Sequence, residues 1–328
     1  MQIKYFSMFS GIGGFEIGIQ RAFDNRPDLR NGSKGLSEDN TDTTQPQVRA
    51  ECIGYSEIDK YAIKVYERHF NHDNYGDATK INPKELPDFD LLVGGFPCQA
   101  FSVAGKRAGF NDTRGTLFFD IARILKEKQP RHLVLENVKG LLSHDSGRTF
   151  TTIIGVLTDL GYSVEWQVLN SKDFGVPQNR ERVIIVLHLG NGCRGKVFPI
   201  IGEGETTLRK DTKAIALHNT RKIATVADTV NTLSASFRGH PDGDGRPAIL
   251  QLNQPTHSND RVYASDGISP TRRLTPLETE RLQGFPDNWT KYGINEEPIS
   301  DTQRYKMCGN AVTTNVIQAV MERLIDHV

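Results

Sequence analysis

One thiol, one carboxylate and two guanidinium groups in this chain stand where covalent chemistry becomes possible. Cys98 lies in Gly94-Gly95-Phe96-Pro97-Cys98-Gln99-Ala100-Phe101-Ser102, after an apolar run, Phe89 to Val93, that reads as a buried strand ending in glycines. A thiol on a Gly/Pro-shaped turn beyond a strand end is held where a substrate reaches it, and the fixed φ of Pro97 stiffens the approach. Alone, Cys98 would read as a small buried hydrophobe. Glu136 closes a second apolar strand in His132-Leu133-Val134-Leu135-Glu136-Asn137-Val138. Next to a thiolate it suits covalent attack coupled to protonation, provided burial or the nearby negative charge raises its pKa; alone, it would cap the following turn. Arg180 and Arg182 alternate with Glu181 in Gln178-Asn179-Arg180-Glu181-Arg182, so both are expected on one face of a strand entrance. They suit a base carbonyl, a phosphate or the thiolate; a surface salt-bridge cluster is the other reading.

A second group of residues suits a nucleotide-like ligand. Phe9-Ser10-Gly11-Ile12-Gly13-Gly14-Phe15 follows the first strand, and glycines there let backbone approach a ligand closely. NAD, a nucleotide and S-adenosylmethionine all fit such a turn. The dinucleotide fingerprint is absent, because Glu16 occupies its third glycine position. Glu57, after the second strand, is placed to accept ribose hydroxyls, and Asp77 in Tyr75-Gly76-Asp77-Ala78 to meet an adenine amino group. The segment Ala104 to Gly115, with Lys106, Arg107 and Arg114, is glycine-rich and cationic, as a lid over a polyanion would be.

The elements that must position these groups alternate. Strands are predicted at Ile3–Met8, Ala50–Ser56, Phe89–Val93, His132–Leu135, Ser163–Asn170 and Val183–Leu187, and helices at Gly14–Ala22, Lys60–Phe70, Leu117–Lys126 and Thr149–Leu160. That order implies an α/β, mostly parallel, doubly wound sheet whose ligands sit beyond the strands' carboxyl ends. Residues 24–47 are almost devoid of apolar side chains and read as a surface insertion. Residues 190–271 form a smaller, loop-rich domain with short strands, and 272–328 a helical segment closing with Thr313–Asp326.

The 328 residues suffice for both domains. Lys plus Arg and Asp plus Glu each total 40, so a nucleic-acid surface must come from local segregation of charge. The four cysteines are scattered without metal-ligand spacing, and neither zinc nor a disulfide framework is expected. No signal peptide or long apolar span is read, so an intracellular setting is expected.

In family order, FSGIGGF (Phe9–Phe15), GFPCQAFS (Gly95–Ser102), RGTLFFD (Arg114–Asp120), ENV (Glu136–Val138), QNRER (Gln178–Arg182), RLTPLETERLQGFPD (Arg273–Asp287) and GNAVTTNV (Gly309–Val316) resemble the signature blocks of the bacterial C5-cytosine DNA methyltransferases. The resemblance implies a Rossmann-like methyltransferase sheet with a mainly β target-recognition domain. It also implies methyl transfer from S-adenosylmethionine to carbon 5 of a cytosine flipped from duplex DNA. Cys98, after Pro97, would attack carbon 6, Glu136 bond ring nitrogen 3, and Arg182, with Arg180 nearby, hold the base carbonyl. Phe9, Gly11, Gly13, Glu57, Asp77, Leu117 and Asn310 would contact the cofactor, flanked by Ile12, Gly14, Ile58, Ala78, Pro97 and Ala311. Asn310 lies near the chain's end, so the final helix should pack back onto the N-terminal sheet. Gln99, Ser102, Lys106, Arg107 and Arg114 would meet DNA from the lid, and Arg238 and Arg261 from the recognition region. Two segments compete to support the flipped nucleotide, Asn231-Thr232-Leu233-Ser234-Ala235 and Gly267-Ile268-Ser269-Pro270-Thr271, with Thr271 preferred. A cytoplasmic monomer of bacterial or phage origin is implied, paired with a restriction endonuclease or acting alone. An RNA cytosine methyltransferase and an inactive DNA-binding relative are the rival readings.

Overall fold

The computed structural model describes residues 2–26, 49–97, 117–190, 197–201, 212–215, 230–231, 248–251 and 271–326. Most of the expected insertion at 24–47 lies outside these. In chain order the first elements are β1 (Gln2–Met8), α1 (Gly14–Asp24), β2 (Arg49–Ser56), α2 (Lys60–His69), β3 (Leu91–Gly95) and α3 (Leu117–Lys128). They are followed by β4 (His132–Val138), α4 (Arg148–Asp159), β5 (Tyr162–Asn170), β6 (Gln178–Asn179) and β7 (Glu181–Leu189). Six of the strands form one sheet in the order β2-β1-β3-β4-β7-β5. Strands β2, β1, β3 and β4 run parallel, whereas β7 is antiparallel to both neighbours. The sheet is therefore mixed. Only residues 171–180 separate β5 from β7, too few for the crossover that a parallel return requires.

Side chains alternate between two apolar layers, as strands covered on both faces demand. Tyr5, Val93, Val134, Ile184 and Val186 face one layer, and Phe6, Leu92, Leu133, Val183, Ile185 and Leu187 the other. Helices α3 and α4 cover the second layer with Phe118, Ile121, Leu125, Ile153 and Leu157.

Further along the chain are β8 (Thr212–Ile215), β9 (Val230–Asn231), β10 (Ala248–Gln251) and β11 (Thr271–Arg273). Strands β11, β10 and β8 make a small antiparallel sheet that continues to Arg273, just past the expected boundary at 271. Helices α5 (Pro276–Leu282), α6 (Asp301–Asn310) and α7 (Thr314–Ile325) follow. Pro276 opens α5 behind a reciprocal Thr275–Glu278 capping box.

Helix α7 returns to the start of the chain and covers the first layer with α1, where Ile19 and Phe23 meet Ile317, Val320 and Leu324. Close approach depends on Gly18: a Cβ there would lie 2.6 Å from Ile317. Arg21 Nη1 donates to Thr314 Oγ1 at 2.8 Å across the same seam. No helix among the described residues is long and apolar enough to cross a membrane.

Two buried carboxylates carry the polar interior. Glu280 is fully buried; its Oε1 accepts from Thr290 N at 2.9 Å and from Arg304 Nη2 at 3.0 Å, and Thr290 Oγ1 also donates to it. Glu16 in α1 is 2% exposed and accepts from Tyr66 Oη at 3.0 Å. Burial raises the Glu16 pKa from its ordinary 4.5, against the lowering effect of hydrogen bonds that include Ser7 and Tyr66.

Glu280→Ala removes the fully buried partner of Arg304 and leaves it, among the described residues, only the exposed Asp301 at 3.5 Å as an ion-pair partner; it should cost about 3 kcal/mol in urea unfolding. For Glu16 the folded state holds its proton more tightly than the unfolded state does. Its stabilising contribution is thus full below pH 4.5 and is lost as pH rises toward the elevated folded pKa. Glu16→Gln should remove that loss, so urea melts from pH 4.5 upward should show the variant gaining stability relative to the parent.

Candidate active site

The carboxyl ends of the four parallel strands share one edge of the sheet, and the reversal of β7 brings its amino end to that edge. Register pairs Gly95 with Glu136 and Val138 with Arg182, so Arg182 and Glu136 lie diagonally on one face of the β4–β7 pair. Arg182 Nε meets Glu136 Oε1 at 3.0 Å, with side chains 15% and 12% exposed. Arg182 Nη1 also donates to its neighbour's carbonyl, Glu181 O, at 2.8 Å. The second oxygen of Glu136 stands over Gly95, 3.3 Å from where a Cβ would be. Glycine at 95 therefore makes room for the carboxylate.

Beyond Gly95 the described chain continues through Phe96 and Pro97 toward Cys98. Phe96 is buried, and its carbonyl accepts from Asn137 Nδ2 at 2.8 Å. Asn137, 2% exposed, is itself held by Val138 N, which donates to Oδ1 at 2.8 Å. Pro97 is exposed and is the last described residue before the thiol. Cys98 and the segment with Gln99, Ser102, Lys106, Arg107 and Arg114 lie outside the described residues, as do Arg238 and Arg261.

Arg180 and Arg182 diverge, contrary to the expectation of a shared face. Residue 180 lies between β6 and β7, outside the regular pleat whose alternation motivated that expectation. Arg180 is buried, and its Nη2 donates to Ala311 O at 2.9 Å and to Gly309 O at 3.3 Å. Burial, reinforced by the Arg182 charge and opposed by Glu136, lowers its pKa to about 9. Arg180 thus ties the QNRER segment to the C-terminal block, while Arg182 faces Glu136. Strand β6 pairs in parallel with β9, setting Asn231 beside Asn179. Thr271, by contrast, pairs with Leu250 in the separate three-stranded sheet.

At the β1 end the backbone turns through left-handed conformations at Phe9 (φ 55°), Gly11 (57°) and Gly13 (87°). Phenylalanine rarely adopts that region. A Cβ on Gly11 would meet nothing within 4 Å, whereas one on Gly13 would lie 2.3 Å from the Phe70 ring and one on Gly14 2.7 Å from Val312. Gly11 faces open space, and the next two glycines admit close packing. Glu57 fastens this turn: its carboxylate accepts from Gly11 N at 2.9 Å and from Ile58 N and Asp59 N, each at 2.8 Å.

Of the other residues named from the sequence, Ile58 is 71% exposed, and Asp59, next to it, caps α2 while accepting from Lys306 Nζ at 2.6 Å. Asp77 accepts from Thr79 N at 3.0 Å, so it serves as a cap; hydrogen bonds from the Thr79 hydroxyl and amide, with Lys80 nearby, lower its pKa. Ala78 is buried beside it, and Leu117 opens α3 half-buried. Asn310 ends α6 exposed, and Ala311 is buried. Sequence reasoning did not single out Asn137, Lys306 or Trp289, whose Nε1 donates to Ile12 O at 2.9 Å. Asn137 stood beside a singled-out carboxylate; the other two act across long chain separations.

The family model for C-5 cytosine-specific DNA methylase matches residues 3–193 and 197–326. The Type II methyltransferase M1.ScrFI of Lactococcus lactis subsp. cremoris is 38% identical, over 98% of this chain and 78% of that protein. M.HpaII of Haemophilus parainfluenzae is 37% identical, over 99% and 90%. Among solved structures, the S. pombe Dnmt2 methyltransferase superposes with a TM-score of 0.68 at 17% identity, covering 99% of both chains. The Entamoeba histolytica methyltransferase EhMeth gives 0.64 at 18%, over 99% of this chain and 98% of that one. The sheet, the Glu136–Arg182 edge and the extent of these matches agree: the chain belongs to the C-5 cytosine-specific DNA methylase family.

Proposed function

We propose that this methyltransferase transfers the methyl group of S-adenosylmethionine to carbon 5 of a cytosine flipped out of duplex DNA, with Cys98 as nucleophile. The observation that carries the assignment of residues is the Glu136–Arg182 pair at 3.0 Å, on the strand next to the one leading into the Phe96-Pro97-Cys98 turn.

The glycine turn suits the cofactor. Gly11 leaves open space beside the backbone, the amino end of α1 lies beyond it, and Glu57 fills three acceptor positions with backbone amides of the roughly four a carboxylate offers. Phe9, Ile12, Gly13, Gly14, Ile58, Asp77, Ala78, Pro97, Leu117, Asn310 and Ala311 complete the proposed cleft. When bound, S-adenosylmethionine supplies an electrophilic methyl group on a sulfonium sulfur.

Carbon 5 of cytosine is a poor nucleophile until addition at carbon 6 breaks the ring's conjugation. Cys98 makes that bond as the thiolate. Glu136 bonds ring nitrogen 3 and shares a proton with it as charge moves onto the ring. Arg182 orients Glu136 through Nε, and its remaining N–H groups meet the base carbonyl. Once carbon 5 has taken the methyl group in exchange for the broken sulfonium S–C bond, loss of its proton to solvent expels the thiolate and restores the aromatic ring. Asn137 fixes the Phe96 carbonyl and hence the base of the nucleophile turn.

For the flipped nucleotide, the pairing of Asn231 with Asn179 supports the Asn231-Thr232-Leu233 segment over Thr271. Gln99, Ser102, Lys106, Arg107, Arg114, Arg238 and Arg261 are the proposed DNA contacts. A reducing cytoplasm suits an enzyme whose nucleophile is a thiol.

The test is transfer of labelled methyl from S-adenosylmethionine to unmethylated duplex DNA, with bisulfite mapping of the product. Label at cytosines within one short motif is expected. Cys98→Ala should abolish it, and Glu136→Gln should slow it by about 100-fold or more. Transfer to RNA alone, or binding of DNA without transfer, would favour one of the rival readings. Asn137→Ala leaves the Phe96 carbonyl unpaired, at roughly 1–3 kcal/mol; single-turnover rates should fall about 10- to 100-fold, with cofactor affinity unchanged by calorimetry.

A further inference from the structure

We infer that Trp289 is a positioning residue for the cofactor turn and sets the enzyme's affinity for S-adenosylmethionine from outside the cleft. The inference rests on the reading of Phe9–Gly14 as the cofactor turn. Trp289 Nε1 donates to the carbonyl of Ile12 at 2.9 Å, 277 residues away in sequence. Ile12 is flanked by Gly11 and Gly13, both in the left-handed region. Glycines give a backbone little stiffness of its own, so a fixed external donor at this carbonyl restrains the peptide units on either side.

The indole is itself immobilised. It stacks on His69 with ring centroids 3.5 Å apart and planes 9° from parallel, and the His69 ring donates from Nε2 to the Trp289 carbonyl at 2.8 Å. Phe285 lies on another side, with centroids 5.8 Å away. The next residue, Thr290, is locked to the buried Glu280 through its amide and hydroxyl. Phe70, next to His69, fills the space left by the missing side chain of Gly13. A wall of α2 and the C-terminal segment therefore grips the Ile12 carbonyl, while Glu57 accepts from the amide of Gly11 in the same turn. A turn held in its binding conformation before the ligand arrives loses less entropy on binding.

Trp289→Phe keeps an aromatic ring beside His69 and removes the N–H donor together with part of the indole's packing surface. Isothermal titration of the purified chain with S-adenosylmethionine should show affinity weakened roughly 3- to 10-fold, the range expected for one net hydrogen bond. The single-turnover rate at saturating cofactor and the affinity for a plasmid DNA fragment should stay at parent values. The chain holds two tryptophans, so Trp166→Phe leaves Trp289 as the sole indole, and its emission should change along the same titration curve. Unaltered affinity in Trp289→Phe overturns the inference, as does an equal loss in DNA binding or rate, which marks general damage. A parent protein that binds DNA but no S-adenosylmethionine overturns the cofactor reading itself, and the inference with it.

Discussion

The contact on which the proposed catalytic edge depends is the ion pair between Glu136 and Arg182. Both side chains are largely withdrawn from water, where an unpartnered charge is costly and a paired one is fixed in direction. Parallel strands alone would carry only their carboxyl ends to this edge. The reversal of β7 adds an amino end, and with it a guanidinium that reaches the carboxylate of β4. The reversal follows from the short link between β5 and β7, so connection length decides which charges meet. Arg182 holds one oxygen of Glu136, Gly95 makes space for the other, and Asn137 fastens the turn leading to Cys98.

A second constraint is the return of the chain's end to its beginning. Gly18 lets α7 lie against α1, Val312 fills the space at Gly14, Arg180 holds the carbonyls of Gly309 and Ala311, and Lys306 reaches the cap of α2 at Asp59. These contacts join the QNRER segment, the glycine turn and the second strand's end to one C-terminal scaffold. The proposed catalytic and cofactor residues thereby share a support held by apolar packing and by the buried Glu280 cluster.

Much of this was legible in the sequence. The apolar runs and helical periods located every strand and helix of the main sheet to within a few residues, because burial on both faces leaves a local mark on composition. The candidate site residues could be picked out for a related reason: strand ends display reactive groups beside glycine and proline, which are themselves conspicuous. Glu136, Arg182 and Glu57 could be singled out that way, and the ordered signature blocks gave the family.

The tertiary structure alone decided which of these groups touch. Alternation suggested that Arg180 and Arg182 would act together, yet residue 180 stands outside the pleat and bonds backbone carbonyls 129 and 131 residues away. Trp289 meets Ile12 across 277 residues, and no local pattern marks an indole that serves a distant turn. The antiparallel course of β7 followed from pairing rather than from its own residues, whose uninterrupted burial fits either direction. Sequence determined the elements and the chemical inventory at their ends, since both are local. Register, reversal and long-range hydrogen bonds determined the site, because they depend on partners that the chain brings together only on folding.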